Sequence, residues 1–316
     1  MKAARIHAWG EAPRIEDLPE PQAPPGFSLV RMAAATVGHI DRTVWSGKFL
    51  VHPPLPYVPG VEAAGTVVAS ARFAAGQRVW LRGAGLGTRR DGTWRELVVA
   101  PDEALGALPD AVRMALGSAF FSPCTSAWVA LHEVGRVRGG ETVLVTGATG
   151  AVGSIASQLA LEAGARVQTL ADEAQRGRLP AGVEAIALED GAQPSAHLLI
   201  DTVGGAVLPA ALRTVVPGGR AVLVGYTGGT SVTLDLPELM QRDVSLLPLN
   251  MLRREAAGRA VVDELLSRLA DGRLRLEVTE FALDDAARAL EWIAQRGHRG
   301  RAVLVAPSPT RGRGLG

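Results

Sequence analysis

The segment VTGATGAVGSIASQLA, residues 145–160, constrains the fold of this chain more than any other. An apolar run ends in a turn carrying Gly147, Gly150 and Gly153, and small and apolar residues then continue at helical spacing. Strand, tight turn and helix in that order open a βαβ unit, which sets its strands parallel in one sheet. Glycines in such a turn admit a close neighbour to the backbone, and the helix behind it offers unpaired N–H groups at its positive end. Phosphate oxygens suit that place. The spacing over 148–153 is A-x-G-x-x-G, with alanine where the usual dinucleotide fingerprint opens on glycine. Taken alone the turn is weak evidence, and an ordinary βα turn is the plain alternative.

The residues beyond the turn strengthen it. Strands are expected at 142–147, 165–170, 197–203, 220–226 and 244–250, with helices at 152–163, 206–215 and 255–270. That alternation predicts a parallel sheet covered on both faces. The first hundred residues read differently. Valine-rich segments at 27–37, 63–70, 77–83 and 94–101 are separated by PQAPPG (21–26) and VHPPLPYVPG (51–60), the pattern of a β-rich domain. A helix over 284–295 and a strand over 301–307 are expected to rejoin that domain, and 308–316 reads as a frayed end.

Composition closes several function classes. A chain of 316 residues with 47% hydrophobic content has room for two domains with their own cores. The formal charge of +1, with no basic stripe, argues against a nucleic-acid or membrane partner. Cys124 is the only cysteine, so no disulfide framework or cysteine-rich zinc site exists within one chain, and packing is its expected role. The start MKAARIHAWG lacks a signal-peptide core, and no apolar run spans a bilayer; the expectation is a cytoplasmic protein.

Longer stretches carry more than the turn does. They are LPYVPGVEAAGTVVA (55–69), DGTWRELVVAP (91–101), the run from Cys124 to Val167, DTVGG (201–205), PGGRAVLVGYTGG (217–229) and GHRGRAVLV (297–305). On these stretches the chain resembles, over nearly its whole length, the zinc-independent quinone oxidoreductase (zeta-crystallin-like) branch of the medium-chain dehydrogenase/reductase superfamily. The resemblance implies an α/β protein of two domains. A GroES-like β-rich catalytic domain would comprise 1–115 and 271–316, and a Rossmann domain with a doubly wound parallel sheet would comprise 116–270, the cofactor lying between them. Zinc-dependent members carry ligands at positions that are here Gly38 and Val61, and their four-cysteine loop has no cysteine here. Zinc needs several N or S ligands in one place, so no metal is expected.

The resemblance also assigns a cofactor site. The turn residues Gly147, Thr149, Gly150, Ala151 and Val152 would meet the pyrophosphate, and Ser126 the nicotinamide carboxamide. Gly225 and Tyr226 would end a strand beside the cofactor, with Leu249 and Asn250 flanking the nicotinamide. The family's NAD-selecting aspartate aligns with Ala171, and a lysine that contacts the 2′-phosphate aligns with Arg176. This implies NADPH in preference to NADH, against which Asp172 and Glu173 would repel a phosphate. A solvated surface arginine is the plainer reading of Arg176.

Hydride addition to a quinone or enone also needs a proton, from a group within hydrogen-bond reach or from water. The family's usual tyrosine positions are here Thr43 and Phe49. His39, Asp41, His52 and Tyr226 remain as candidates. Asp41 has the alternative of a structural, hydrogen-bonded residue, and His52 that of a loop residue. The resulting expectation is an NADPH-dependent, zinc-independent reductase of quinones or α,β-unsaturated carbonyls, acting on a small molecule. A specialised enoyl-thioester or tailoring reductase, and a non-catalytic nucleotide-binding protein, stay open. The resemblance implies a homodimer, through an exposed edge strand read at 231–236.

Overall fold

The computed structural model describes residues 1–171, 173–187, 194–295, 297 and 300–306. Asp172, part of the 297–305 stretch and the 308–316 tail lie outside the described residues. The chain divides into two compact units, one formed by Met1–Phe121 with the chain from Glu277 onward, the other by Ser122–Leu276. Both divisions fall a few residues beyond the positions read from the sequence.

The first unit is built on a sheet of seven strands. Its order is Val278–Ala282, Arg301–Val305, Phe27–Val37, Glu62–Ala69, Arg78–Arg82 and Leu105–Ala107, with Leu97–Pro101 also paired to Phe27–Val37. Residues of Phe27–Val37 alternate in burial over the first half of the strand, as a half-covered antiparallel strand must. Ala302 pairs with Val37 and Val305 with Ala34 in antiparallel register, so the chain's end does return to this unit. Helix Ala286–Ala294 buries Ala286, Ala289, Leu290 and Ile293, a spacing that puts all four on one stripe. A separate small core joins Ile6, Val44 and Tyr57, with Trp9, Ile40, Trp45 and Phe49 packed on it. The hairpin Lys2–Arg5 with Arg14–Asp17 carries too little apolar alternation to be seen in the sequence.

The second unit is a six-stranded parallel sheet of strands β1 (Thr142–Thr146), β2 (Arg166–Leu170), β3 (Val183–Ile186), β4 (Ala196–Asp201), β5 (Val215–Leu223) and β6 (Ser245–Pro248). Their order is β3-β2-β1-β4-β5-β6, all neighbours parallel. The chain therefore moves outward one way from β1 and the other way from β4. That reversal makes the gap between β1 and β4 the topological switch point, where open α/β sheets hold ligands at their C-terminal edge. Helix α1 (Ala151–Glu162) comes after β1 and buries Ile155, Ala156, Leu159 and Ala160. Short helices α2 (Glu173–Arg176) and α3 (Val207–Leu212) come after β2 and β4, and α4 (Leu236–Gln241) precedes β6.

Two readings need correction. The helix expected over 255–270 is broken at Val261 into Glu255–Ala260 and Val262–Ala270. The alternating segment 231–236 is no strand, because Leu236 already begins α4. A local cap overrides the alternation there: the Asp235 carboxylate accepts the Glu238 N–H at 3.0 Å, with Pro237 in the first turn.

Candidate dinucleotide site

The turn after β1 owes its shape to Gly147. Its φ of +67° lies in the left-handed region, and a Cβ there would come within 2.7 Å of Thr202 Oγ1. The demand for a left-handed glycine is thus met one residue before Ala148, so alanine at the fingerprint's first position costs the turn nothing. The Gly150 N–H donates to the Gly147 carbonyl at 2.9 Å and closes the turn. Gly153 serves close approach: a Cβ on it would sit 2.2 Å from the Gly147 carbonyl oxygen. Gly150 is the N-cap of α1 in extended conformation and supplies no side-chain cap. The first N–H groups of α1 are left to another acceptor, at the positive end of the helix. Gly147, Thr149, Gly150, Ala151 and Val152 are all half-buried, while Ala148 and Gly153 are buried beneath them. Backbone donors with a small-residue surface fit a pyrophosphate.

Gly225, Tyr226, Leu249, Asn250 and Arg176 also lie beyond the C-terminal ends of parallel strands. Gly225 and Tyr226 lie just past β5, and a Cβ on Gly225 would meet the Thr202 carbonyl oxygen at 2.4 Å. Tyr226 is 64% exposed, so its ring is available to a ligand. Leu249 and Asn250 come after β6; the Leu249 N–H donates to the Leu223 carbonyl at 3.0 Å. The Asn250 carboxamide oxygen accepts the N–H groups of Leu252 and Arg253, which occupies it in a local turn. Ser126 is half-buried on helix Phe121–Trp128, whose Cys124 is buried. Arg176 ends α2 beyond β2 and is exposed.

In the first unit, helix His39–Trp45 carries the candidates His39 and Asp41. Asp41 is buried, and its two oxygens accept the N–H groups of Gly38 at 2.8 Å and Val61 at 3.0 Å. Burial pushes its carboxyl up to about 7, against the pull of the Gly38 hydrogen bond. A carboxyl spent on two backbone donors anchors a loop, the structural alternative considered for Asp41. Beside it the buried Glu62 pairs with Arg301 at 3.0 Å and Arg82 at 3.3 Å. The Arg301 guanidinium fills the space next to Gly38: a Cβ at Gly38 would lie 2.8 Å from its Nη2. His39 is exposed on the first helical turn. His52 is a loop residue, its Nε2 3.0 Å from the Gly47 carbonyl oxygen and its ring against Trp9. Tyr57 is buried, and its hydroxyl has no hydrogen-bond partner among the described residues. Burial, then the charge of Asp41, pushes that phenol further up. No cluster of three or more His, Cys, Asp or Glu able to hold a metal occurs among the described residues. No helix among them is long and apolar enough to cross a membrane.

Sequence reasoning missed two features here. Thr146 and Asp201 meet across β1 and β4 with a hydrogen bond of 2.6 Å, and only strand register brings them together. The pairing of Glu62 with Arg301 joins residues far apart in the chain, whose strands lie on either side of Phe27–Val37.

Residues 24–110 match the alcohol dehydrogenase GroES-like domain, and residues 171–304 match the zinc-binding dehydrogenase family. A phenolphthiocerol/phthiocerol polyketide synthase of Mycobacterium tuberculosis is 31% identical over 252 residues, 73% of this chain. The chain spans only 11% of that much longer relative. A putative quinone oxidoreductase of Bacillus subtilis, YhfP, is 29% identical over 308 residues and covers 92% of each chain. The crystal structure of the yhdH oxidoreductase from Salmonella enterica, in complex with NADP, superimposes with a TM-score of 0.78 at 26% identity, covering 96% of this chain and 99% of that one. With a GroES-like unit, a nucleotide-binding parallel sheet and quinone oxidoreductases among its relatives, the chain belongs to the medium-chain dehydrogenase/reductase family of oxidoreductases.

Proposed function

We propose that this protein is an NADPH-dependent reductase that adds hydride to a quinone or an α,β-unsaturated carbonyl compound without zinc. The observation that carries the reading is the uncapped N-terminus of α1 behind the Gly147–Gly153 turn at the switch point of the sheet. A bound dihydronicotinamide supplies the hydride. The chain's part is to hold the pyrophosphate on the first N–H groups of α1, with Gly225, Tyr226, Leu249, Asn250 and Ser126 around the nicotinamide end. Position and electrostatics of this kind are how a protein contributes to such a step. His39 or Tyr226 delivers the proton, directly or through water. Zinc independence is supported by chemistry at the ligand positions. Gly38 and Val61 offer no donor side chain, and the Arg301 guanidinium beside Gly38 would repel a metal cation.

The choice of NADPH rests on Ala171, which leaves no acid to hold a ribose 2′-hydroxyl, and on the exposed Arg176. The test is titration with NADPH and NADH separately, monitored by nicotinamide fluorescence, with wild type and Arg176→Ala. NADPH is expected to bind at least about tenfold more tightly, a preference of about 1.4 kcal/mol, and the substitution to erase it. A preference for NADH overturns the assignment. Turnover is then read as NADPH oxidation with simple quinones, enones and enoyl thioesters. Activity confined to thioesters would favour the tailoring-reductase reading, in keeping with the polyketide synthase relative. Tight binding with no turnover would favour a non-catalytic role.

The dimer reading keeps its place but changes its surface. β6 is one of the two edge strands of the sheet, and Leu236 and Met240 on α4, just before it in the chain, are 61% and 78% exposed. A parallel sheet edge of this kind is normally covered, and a second copy does so isologously. Met240→Arg is expected to convert a dimer to a monomer in light scattering. A monomeric wild type would sink the idea.

A further inference from the structure

We infer that Asp201 is a positioning residue of the dinucleotide site, the buried group that locks the glycine turns after β1, β4 and β5 to one another. The inference rests on the proposed cofactor site and deepens it. Asp201 ends β4 directly opposite Thr146, at the switch point, and is buried. Its Oδ1 accepts the Thr146 hydroxyl at 2.6 Å and the N–H groups of Val203 and Gly204 at 3.2 Å, and its Oδ2 accepts the Gly204 N–H at 3.0 Å. Its backbone carbonyl accepts the N–H groups of Val224 at 2.8 Å and Gly225 at 3.2 Å. One residue thereby bonds to the end of β1, to its own loop and to the start of the loop after β5.

The neighbouring residues close the same circuit. The Thr202 hydroxyl donates to the Thr146 carbonyl at 2.7 Å, and the Thr202 N–H donates to Thr146 Oγ1 at 3.0 Å. Thr202 Oγ1 and Val203 are what a Cβ on Gly147 would strike. Gly204, at φ +68°, lies against Gly225, Tyr226 and Gly229 and bridges to Gly229. A carboxylate buried among backbone donors is stable only while those donors stay in place, so its loss loosens all three turns together. The turns bracket the surface on which the pyrophosphate and nicotinamide are proposed to lie. A shift of about 1 Å there matters for affinity and for hydride geometry.

The test compares Asp201→Ala, Asp201→Asn and Thr146→Val with a variant that weakens the same unit elsewhere. Arg220→Gln serves, because Arg220 clamps Glu141 at 2.8 Å and the Arg136 carbonyl at 3.0 Å near the opposite edge of the sheet. Each protein is titrated with NADPH by fluorescence at a temperature well below its melting midpoint. Asp201→Ala and Thr146→Val are expected to raise Kd at least tenfold. Asp201→Asn, which keeps one acceptor oxygen, is expected to recover most of the loss. Arg220→Gln is expected to lower Tm and leave Kd within twofold. Wild-type affinity in Asp201→Ala, with only Tm reduced, overturns the positioning role and leaves the proposed function standing. Failure of wild type to bind either NADPH or NADH overturns both.

Discussion

Gly153→Ala is expected to abolish measurable binding of the nicotinamide cofactor while leaving the chain folded. Alanine is the better helix former by about 1 kcal/mol, so a site governed by propensity would gain stability. The geometry opposes that gain. The new Cβ would lie 2.2 Å from the Gly147 carbonyl oxygen, a backbone atom that cannot rotate away. Overpacking of this sort costs about 1–3 kcal/mol, and relief requires α1 to back off the turn. Doing so moves the uncapped N–H groups that are proposed to hold the pyrophosphate. The expected loss is at least about 100-fold in affinity, near 2.7 kcal/mol. Gly150→Ala is the milder companion, since its Cβ would stand 3.2 Å from the same oxygen at a negative φ. NADPH titration and thermal melts on both variants check the order. Equal affinities in Gly153→Ala and wild type would remove the turn from the cofactor site.

Glu62→Ala is expected to destabilise the first unit by about 3–5 kcal/mol, because it leaves two arginines partly buried without their shared carboxylate. Arg301 is 10% exposed and Glu62 1%, so water cannot replace the pairing. The adjacent Asp41 adds a pH dependence of definite sign. Its carboxyl titrates near 7 in the fold and at its ordinary value of 3.8 when unfolded. Between those values the folded chain holds a proton that the unfolded chain has released, so stability falls as pH rises from about 4 to 7. The full effect of one such group is at most about 4 kcal/mol, at about 1.36 kcal/mol per unit. Asp41→Asn loses one acceptor oxygen but should flatten this slope. Urea unfolding of wild type and Asp41→Asn at pH 5 and pH 7 measures it. Parallel slopes would show that Asp41 is ionised in the fold throughout.

Much of the architecture was legible because burial and periodicity are local properties of the chain. β1, β2 and α1 appear within a residue or so of their expected ends, as does the strand Phe27–Val37. Strands buried on both faces leave unbroken apolar runs, and a glycine cluster between an apolar run and a helical period marks the turn that joins them. Local signals failed where a competing local signal was stronger. The alternation over 231–236 looks like an edge strand, yet the Asp235 cap and Pro237 start a helix at Leu236. The helix over 255–270 carries a continuous periodicity that gives no hint of its break at Val261.

The site divides along the same line. By itself the sequence determined that a glycine-bearing turn joins strand to helix at Gly147–Gly153, that Gly38 and Val61 carry no metal-donor side chain, and that residue 171 is alanine and no acid. Each of these depends on residue type at one place in the chain. Only the tertiary structure decided that Gly147 rather than residue 148 takes the left-handed conformation, that both oxygens of Asp41 are spent on backbone donors, and that Asp201 faces Thr146. Those outcomes depend on which backbone groups arrive beside a side chain from segments as distant as Gly38 and Arg301. Strand register and burial set that, and no single stretch of residues encodes either.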